Sequence, residues 1–417
     1  MDIIKNLFKK FRVTAFSVIM IAAISGSCEK PAPELGLKSG MWRGELTAQG
    51  NQIPFNFEVT KENGSYQIKL INGIEKLDID RIDILGDSLF FDMHIFDISI
   101  KAKVFKDSLV GSYIKNYADG YVLPFKAIYG KKGRFDDVES SDLFDGTWET
   151  TFTDKDGKET DAIGIFKVED TMLRGTFLSK TGDYRFLDGY TSKDTMYLYT
   201  FDGNHIYKFR AYKENDSILK GEYWSGKTSY KTFVSTKNDT AKLPDANSLT
   251  YLKEGYDKID FSFPDLDGNL TSLQDEKYKD KIVILQIFGT WCPNCMDETR
   301  FLSDWYYKNQ SQGVEIIGLA YEIKPEFDYA RDRVLTMKEK LDVPYDFLIA
   351  GTSSTESASE SLPMLNKVMS FPTSIIIDKK GKVRRIHTGF SGPATGVYYE
   401  EFVDDFNQFM QELINES

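Results

Sequence analysis

Apolar and polar residues alternate along the chain between about residues 40 and 240. Segments such as QIPFNFEV, TMYLYTF and HIYKFRAY place every second side chain on one apolar face. This period of two is typical of strands with one buried face. Turn sequences such as ENGS, DKDGK and FDGN separate the segments. The pattern therefore predicts an all-β region.

The β-rich region also repeats itself. Trp42 in SGMWRGEL and Trp148 in DGTWETTF begin two series of matching segments, and KDSLVGSYIK in the first series parallels NDSILKGEYWS in the second. Matches at a nearly constant spacing indicate an internal duplication, with one copy over 40–135 and the other over 136–240. We expect five or six strands in each copy, arranged as two small sandwiches or as one barrel that both copies close.

After a polar segment over 241–254, which we interpret as a linker, the hydrophobic pattern changes. KIVILQIFG and VEIIGLAY are continuously apolar, as in parallel strands buried on both faces. Helical spacing of apolar residues follows Pro293 and Pro325, and TSIIIDKKGKVRRIHTG indicates a hairpin. Strands alternating with helices predict an α/β domain over 255–417 with a mostly parallel sheet. The fold class is therefore multidomain, with an all-β region followed by an α/β domain.

One insertion interrupts this domain after its third predicted strand. The insertion is GTSSTESASESLPMLNKVM. Its beginning is rich in Ser, Thr and Glu, and we expect it to be a solvated loop. We expect LPMLNKVM to pack as a short helix under the site, with a substrate groove as the alternative.

The first residues predict export from the cytoplasm. A basic start, MDIIKNLFKKFR, precedes VTAFSVIMIAAI, which is too short for a membrane span and fits a signal peptide over 1–27. Small residues then lead to Cys28, in a pattern that resembles a bacterial lipoprotein processing site, although Ser25 stands where an aliphatic residue is usual. We expect a lipidated tether over 28–39 that holds the protein in the lipid bilayer. An ordinary secreted protein and an uncleaved anchor are the alternatives.

Charge and location narrow the possible partners. The chain has 52 Lys and Arg against 64 Asp and Glu, a formal net charge of -12. Such a chain repels phosphate backbones, so nucleic acid is not an expected partner. We expect the protein in the cell envelope, on the periplasmic face of the inner or the outer membrane. Free thiols are hazardous there, so the few that remain should do chemistry.

Two of the three cysteines, Cys292 and Cys295, stand two residues apart where a helix is expected to begin. Unpaired N–H groups at a helix N-terminus stabilise a thiolate, so Cys292 is the predicted nucleophile and Cys295 the resolving thiol. Trp291 should cover one side of the sulfur, and Pro293 suits the first turn. A zinc site needs more ligands, and so short a disulfide loop stabilises little. We expect no metal, and no cofactor besides a redox-active disulfide.

WCPNC after an apolar strand, followed later by FPTSIIIDKKGKV, resembles the thioredoxin fold. Within that fold it is similar to the membrane-tethered TlpA/ResA group of thiol-disulfide oxidoreductases. The resemblance covers roughly 255–417, and β-rich lipoprotein segments before such domains are familiar from Bacteroidetes. It implies a cis bond at Pro372 and a Phe371 backbone that pairs with substrate. Pro293 and Asn294, in the spacer, are further candidate substrate contacts.

The resemblance leaves open which group accepts the proton of Cys295. Gln286 stands where cytoplasmic-type thioredoxins carry a buried Asp. The candidate proton acceptors are Asp265, Glu298 and Glu322.

The predicted function is a membrane-anchored oxidoreductase that reduces protein disulfides and receives electrons from a membrane donor of the DsbD/CcdA kind. A peroxiredoxin of the AhpC/TSA type is one alternative, although Thr290 stands two residues before Cys292 where that pattern has three. In a second alternative, the β-rich region is an envelope binding or scaffold module and the redox domain is accessory. By default, we expect the β-rich region to act as spacer and partner selector.

Overall fold

The computed structural model describes residues 36–416 except Asp80 and Asp137. The predicted signal peptide, Cys28 and most of the predicted tether lie outside the described residues. Among the described helices, none combines the length and the apolar character needed to cross a membrane.

The first copy of the repeat forms a 9-stranded antiparallel sheet. Its strands are β1 Gly40–Ala48, β2 Asn51–Glu62, β3 Ser65–Asn72, β4 Glu75–Ile79, β5 Ile82–Leu85, β6 Ser88–Asp92, β7 Ile98–Val104, β8 Ser108–Lys115 and β9 Val122–Tyr129. They lie in the order β4-β3-β2-β1-β9-β8-β7-β6-β5. Because β1 pairs with both β2 and β9, the first and last strands of the copy meet in the middle of the sheet.

The second copy forms a 9-stranded sheet of its own. Its strands are β10 Gly146–Asp154, β11 Glu159–Glu169, β12 Met172–Ser179, β13 Gly182–Asp183, β14 Leu187–Ser192, β15 Thr195–Phe201, β16 Ile206–Asn215, β17 Ile218–Ser225 and β18 Ser229–Lys237. They lie in the order β11-β10-β18-β17-β16-β15-β14-β12-β13, and β11 also pairs with β12. That extra pairing closes all strands except the short β13 into a ring.

The expectation of five or six strands per copy was wrong, and so were both proposed arrangements. Each copy builds its own sheet, and the second sheet closes on itself without the first. Very short strands such as β13 show no period in the sequence. Pairing between the ends of a copy is a long-range contact that alternation cannot indicate.

Local structure supports the duplication. The indole N–H of Trp42 donates to the Lys38 carbonyl at 2.9 Å, and that of Trp148 donates to the Phe144 carbonyl at 2.9 Å. In both copies the acceptor lies four residues before the tryptophan. The first strand of each copy pairs with the second and the last strand of that copy. The two sheets therefore share topology as well as sequence.

The C-terminal part is a thioredoxin-like α/β domain. Its central strands are β21 Ile282–Phe288, β22 Val314–Glu322, β23 Asp346–Thr352, β24 Thr373–Ile377 and β25 Val383–Thr388, preceded by the short pair β19 Phe263–Pro264 and β20 Leu270–Thr271. Its helices are α1 Pro293–Asn309, α2 Phe327–Lys340, α3 Thr355–Ser361 and α4 Val397–Asn415. In the order β23-β22-β21-β24-β25, the first three strands are parallel and the last two antiparallel to their neighbours.

The central strand β21 explains the continuous apolar run in the sequence. All of its residues are buried. Ile282 and Ile284 pack into one apolar cluster, whereas Val283 and Leu285 pack into another on the opposite face. Apolar side chains on both faces fix this strand at the centre of the domain.

The prediction for the insertion was wrong in detail. Its Ser- and Thr-rich beginning forms α3, because the Ser354 side chain caps the helix by accepting the Ser357 N–H at 3.0 Å. LPMLNKVM forms no helix, although Leu362 and Leu365 are buried as expected. Pro363 breaks the sequence where a helix would need to continue.

The predicted linker over 241–254 lies against the α/β domain. The Tyr251 N–H donates to Asn366 Oδ1 at 2.9 Å, and the Thr388 hydroxyl donates to that of Thr250 at 2.9 Å. Leu252 also pairs with Leu365 in an isolated β-bridge. These contacts tie the segment to the domain that follows it.

A buried cluster of charges joins both β-rich sheets to the helix that carries the cysteines. Arg185, between β13 and β14, is fully buried. Its guanidinium contacts Asp297 of α1, Glu75 of β4 at 2.9 Å and Asp202 after β15 at 3.3 Å. The two sheets also pack directly, with the rings of Phe55 and Phe201 4.3 Å apart. One cation therefore links three separate parts of the fold.

Replacing Arg185 by Met should destabilise the protein severely. It would leave Asp202 with only His205 as an ion-pair partner among the described residues, and Glu75 and Asp297 with only the half-buried Arg300. Breaking a buried pair in this way costs about 3–5 kcal/mol. The matched control is Arg210→Met, whose side chain is 49% exposed and pairs with Glu222; it should cost less than about 1 kcal/mol. Urea unfolding followed by tryptophan fluorescence measures both, and equal midpoints for the two variants would contradict the prediction.

Candidate active site

The two cysteines lie where β21 leads into α1. Cys292 precedes the helix, and its Sγ accepts a hydrogen bond from the Cys295 N–H at 3.1 Å. The missing N–H of Pro293 needs no partner in the first turn. Cys292 and Cys295 form a disulfide with Cα atoms 5.2 Å apart, and they are 6% and 1% exposed. Cys292 is therefore the more accessible sulfur, and Cys295 lies behind it, as predicted.

Aromatic and proline side chains flank the disulfide. The Phe371–Pro372 peptide bond is cis, as the resemblance implies. The Phe371 carbonyl oxygen lies 3.6 Å from Cys292 Sγ. Trp291 donates its indole N–H to the Tyr321 carbonyl at 2.8 Å, and its ring lies edge-on to that of Phe371. Backbone of the loop before β24 therefore lies next to the reactive sulfur.

Glu298 provides a buried carboxyl group near the resolving cysteine. It follows Cys295 by three residues in α1, so both lie on one side of the helix. Gln286 donates to Glu298 Oε2 at 3.0 Å, and the Ser374 hydroxyl donates to Oε1. Burial raises the pKa of Glu298 to about 7, against the lowering effect of these hydrogen bonds. Gln286 thus holds a carboxyl group supplied by the helix instead of carrying one itself.

Glu322 and Asp265, the other two candidate proton acceptors, have different neighbours. Glu322 accepts the Thr290 N–H at 2.8 Å and the Thr290 hydroxyl at 2.9 Å, which fixes the loop before Cys292. Burial raises its pKa to about 7. Asp265 lies in a turn and accepts the Asn269 N–H at 2.8 Å. Slight burial raises the pKa of Asp265, but hydrogen bonds outweigh it and the net shift is downward.

The β-rich region reaches the dithiol, which the sequence did not indicate. Asn204 Nδ2 donates to the Trp291 carbonyl at 2.7 Å. Asn294, a predicted substrate contact, donates its side-chain amide to the Asp183 carbonyl at 3.1 Å and is 8% exposed. Asn294 also lines the open cavity beside Cys292, so its predicted contact with substrate stays a prediction. Asn204 lies in FDGN, which has the composition of an ordinary turn, so no local signal marked it.

An open cavity of about 510 Å³, the dithiol groove, lies beside Cys292. Its lining includes Cys292 and Phe371 from the α/β domain, Lys115 from the first sheet, and Asn204 and Lys231 from the second. Pro293 also lines it, and its contact with substrate stays a prediction. The groove is therefore built by all three parts of the chain.

Fold and site together define a thioredoxin-like domain with a disulfide-forming cysteine pair. Residues 255–386 match the model of the AhpC/TSA family. The likeness that the sequence motifs indicate is thus confirmed for the C-terminal part.

Two named relatives and one solved structure are similar to the C-terminal part of the chain. The chain is 31% identical over 130 residues to the thiol-disulfide oxidoreductase ResA of Geobacillus thermodenitrificans strain NG80-2, a match that covers 31% of this chain and 66% of the relative, slightly under two thirds. It is 28% identical over 138 residues to the thioredoxin-like protein YneN of Bacillus subtilis strain 168, and this match covers 33% of the chain and 73% of YneN. The solved structure of a thiol:disulfide interchange protein from Chlorobium tepidum TLS is 20% identical, with a TM-score of 0.30. The match covers 39% of this chain and 99% of that protein.

Replacing Glu298 by Gln should remove the pH dependence that this carboxyl group gives to the rate of thiol exchange. The carboxyl group accepts a proton only when ionised, and a pKa of about 7 means that its ionised fraction falls as pH drops below 7. Single-turnover rates of the native protein should therefore fall about fivefold between pH 7 and pH 6, and the rates of Glu298→Gln should be low and nearly independent of pH. Asp265→Asn is the control and should keep the native profile, whereas an unchanged profile in Glu298→Gln would exclude this role.

Proposed function

We propose that the protein is a thiol-disulfide oxidoreductase of the cell envelope that reduces protein disulfides through Cys292 and Cys295. The observation that carries the proposal is the paired sulfur geometry. A more exposed Cys292 lies at the start of a helix, a buried Cys295 lies behind it, and the Phe371 carbonyl is 3.6 Å from Cys292. The names of the relatives agree with this chemistry.

The reaction is a two-step exchange. The Cys292 thiolate, stabilised by the N–H groups of α1, attacks one sulfur of the substrate disulfide, and the other substrate sulfur leaves as a thiolate. Cys295 then gives its proton to Glu298 and attacks Cys292 Sγ. This step forms the Cys292–Cys295 bond and releases the second substrate thiolate. Two electrons pass from the dithiol to the substrate.

The peroxidase alternative receives no support from the site. A peroxidatic cysteine needs hydrogen-bond donors directed at the peroxide, and Thr290 is the residue that the sequence offered for this role. Its hydroxyl donates to Glu322 at 2.9 Å instead. Disulfide exchange therefore remains the function that the geometry supports best.

Cys292→Ser should abolish reduction of insulin disulfides, because the attacking sulfur is gone. Cys295→Ser should instead form mixed disulfides that persist, since no second thiol releases them. The control is Cys28→Ser, which removes a thiol outside the pair and should keep full activity. Activity in Cys292→Ser, measured as insulin precipitation with a thiol reductant, would refute the proposal.

The proposed location follows from the beginning of the chain. We propose that residues 1–27 direct export, that Cys28 is lipidated, and that the protein faces the periplasm. A membrane donor of the DsbD/CcdA kind would then return the oxidised pair to the dithiol. The basic, apolar and small-residue series before Cys28 supports this proposal.

Cys28→Ser should move the protein from the membrane fraction to the soluble fraction, since the acyl chains that hold it would be absent. Cell fractionation and labelling with a radioactive fatty acid measure this change. Cys292→Ser is the control and should stay labelled and membrane-bound. Fatty-acid labelling that persists in Cys28→Ser would show that the anchor lies elsewhere.

A further inference from the structure

We infer that the β-rich region supplies the substrate-recognition wall of the dithiol groove and selects disulfides that carry a carboxylate close to the sulfur atoms. This inference rests on the proposed oxidoreductase function and names its substrate class. It assigns Lys115 and Lys231 to recognition. The exchange itself is the two-electron reaction described above, with the substrate disulfide reduced to two thiols.

The groove controls access to the reactive sulfur. Cys292 is 6% exposed, and it lines the groove together with residues of both β-rich sheets. A volume of about 510 Å³ lies within the range of small-ligand sites, which span about 300–1,000 Å³. A small disulfide or an extended chain segment fits such a space.

Two lysines face this space. Lys115, at the end of β8, places its Nζ 2.6 Å from Asn204 Oδ1, and Lys231 lies near the start of β18. Neither forms an ion pair with any described residue. Burial lowers the pKa of Lys115 to about 8, so the amine is still largely charged at neutral pH, and its partial desolvation strengthens its attraction for an anion.

The acidic groups near the groove are already engaged. Asp183 accepts the Gly392 N–H at 2.6 Å and the Arg185 N–H at 2.7 Å. Asp202 is fully buried and binds His205 Nδ1 at 2.9 Å as well as Arg185. The groove therefore presents two lysines that form no ion pair among the described residues, on a chain whose net charge is -12. Lys231 lies opposite Asp154 of β10, so Lys115 is the cation with the fewer acidic neighbours. The groove is thus positively charged although the protein as a whole is negatively charged, and this local positive charge favours an anionic ligand.

A short chain of hydrogen bonds connects Lys115 to the reactive loop. Lys115 donates to the side-chain oxygen of Asn204, and Asn204 donates to the carbonyl of Trp291, the residue before Cys292. A carboxylate held by Lys115 therefore lies beside the loop that carries the attacking sulfur. Tyr207 and Tyr223 provide aromatic surface in the same groove for the rest of the ligand.

The test compares three small disulfides of different charge: anionic 3,3′-dithiodipropionate, neutral bis(2-hydroxyethyl) disulfide and cationic cystamine. The ratio of kcat/KM for the anionic and cationic probes is measured in full-length protein, in Lys115→Gln and in Lys231→Gln. We expect each substitution to lower this ratio about tenfold, as the loss of one nearby charge implies. Lys126→Gln, an exposed lysine of β9, is the control and should leave the ratio unchanged.

The outcomes separate this inference from the proposed function. If the unmodified protein reduces neither insulin nor any of the three probes, the oxidoreductase proposal fails, and if it reduces insulin but none of the probes, the recognition wall alone is excluded. If it reduces all of them but the ratio is the same in both lysine variants, the recognition wall alone is excluded. Circular dichroism checks that each variant is folded. If one of the two lysine variants does not fold, the other still tests the inference.

A further pair of substrates identifies the source of the carboxylate. Two unfolded peptides with one disulfide are compared, one with Glu and one with Gln on either side of each cysteine. Higher kcat/KM for the Glu peptide than for dithiodipropionate assigns the site to acidic chain segments, and the reverse order assigns it to small anionic disulfides. Equal rates for the Glu and Gln peptides, together with an unaltered probe ratio in Lys115→Gln, would overturn the inference.

Discussion

The arrangement of the molecule depends on the buried guanidinium of Arg185. A charge in a protein interior is tolerated when carboxylates surround it, and here they come from separate places: Glu75 in the first sheet, Asp202 in the second and Asp297 in α1. Burial raises the pKa of Asp297, and the neighbouring arginine opposes that effect. The charges are fully paired only when both sheets dock on the helix that begins at the cysteines. The docking of both sheets on α1 therefore also forms the dithiol groove.

The chemistry and its recognition are supplied by different parts of the fold. The α/β domain provides the helix N-terminus, the cis bond before Pro372 and a buried carboxyl group, all within a compact sheet and its covering helices. Gln286 on β21 stands where cytoplasmic-type thioredoxins carry a buried Asp, and it donates a hydrogen bond to the buried carboxyl group of Glu298 on α1. We propose that this carboxyl group accepts the proton of Cys295.

The sequence predicted features that depend on neighbouring residues. The start of α1 at Pro293, the fully buried β21 and the hairpin of β24 and β25 all follow from short patterns. The sequence could not indicate that Asn204 reaches the Trp291 carbonyl, because a turn has the same composition whether or not another domain lies against it. The capping of α3 by Ser354 was missed for a related reason, since serine favours both loops and helix starts.

The duplication did not produce two equivalent contacts with the active site. The end of β8 brings Lys115 to the dithiol groove. The matching strand of the second copy, β17, lines the groove with Tyr223 and ends at Ser225, whose carbonyl accepts a hydrogen bond from Gln49 of the first copy. The second copy contacts the loop before Cys292 through Asn204, in the loop before β16. Two similar sheets cannot make the same contacts with a single dithiol, so each copy contacts the active site through different residues. Each copy supplies one lysine to the groove, Lys115 from β8 and Lys231 from β18, and the second copy also positions Lys115 through Asn204.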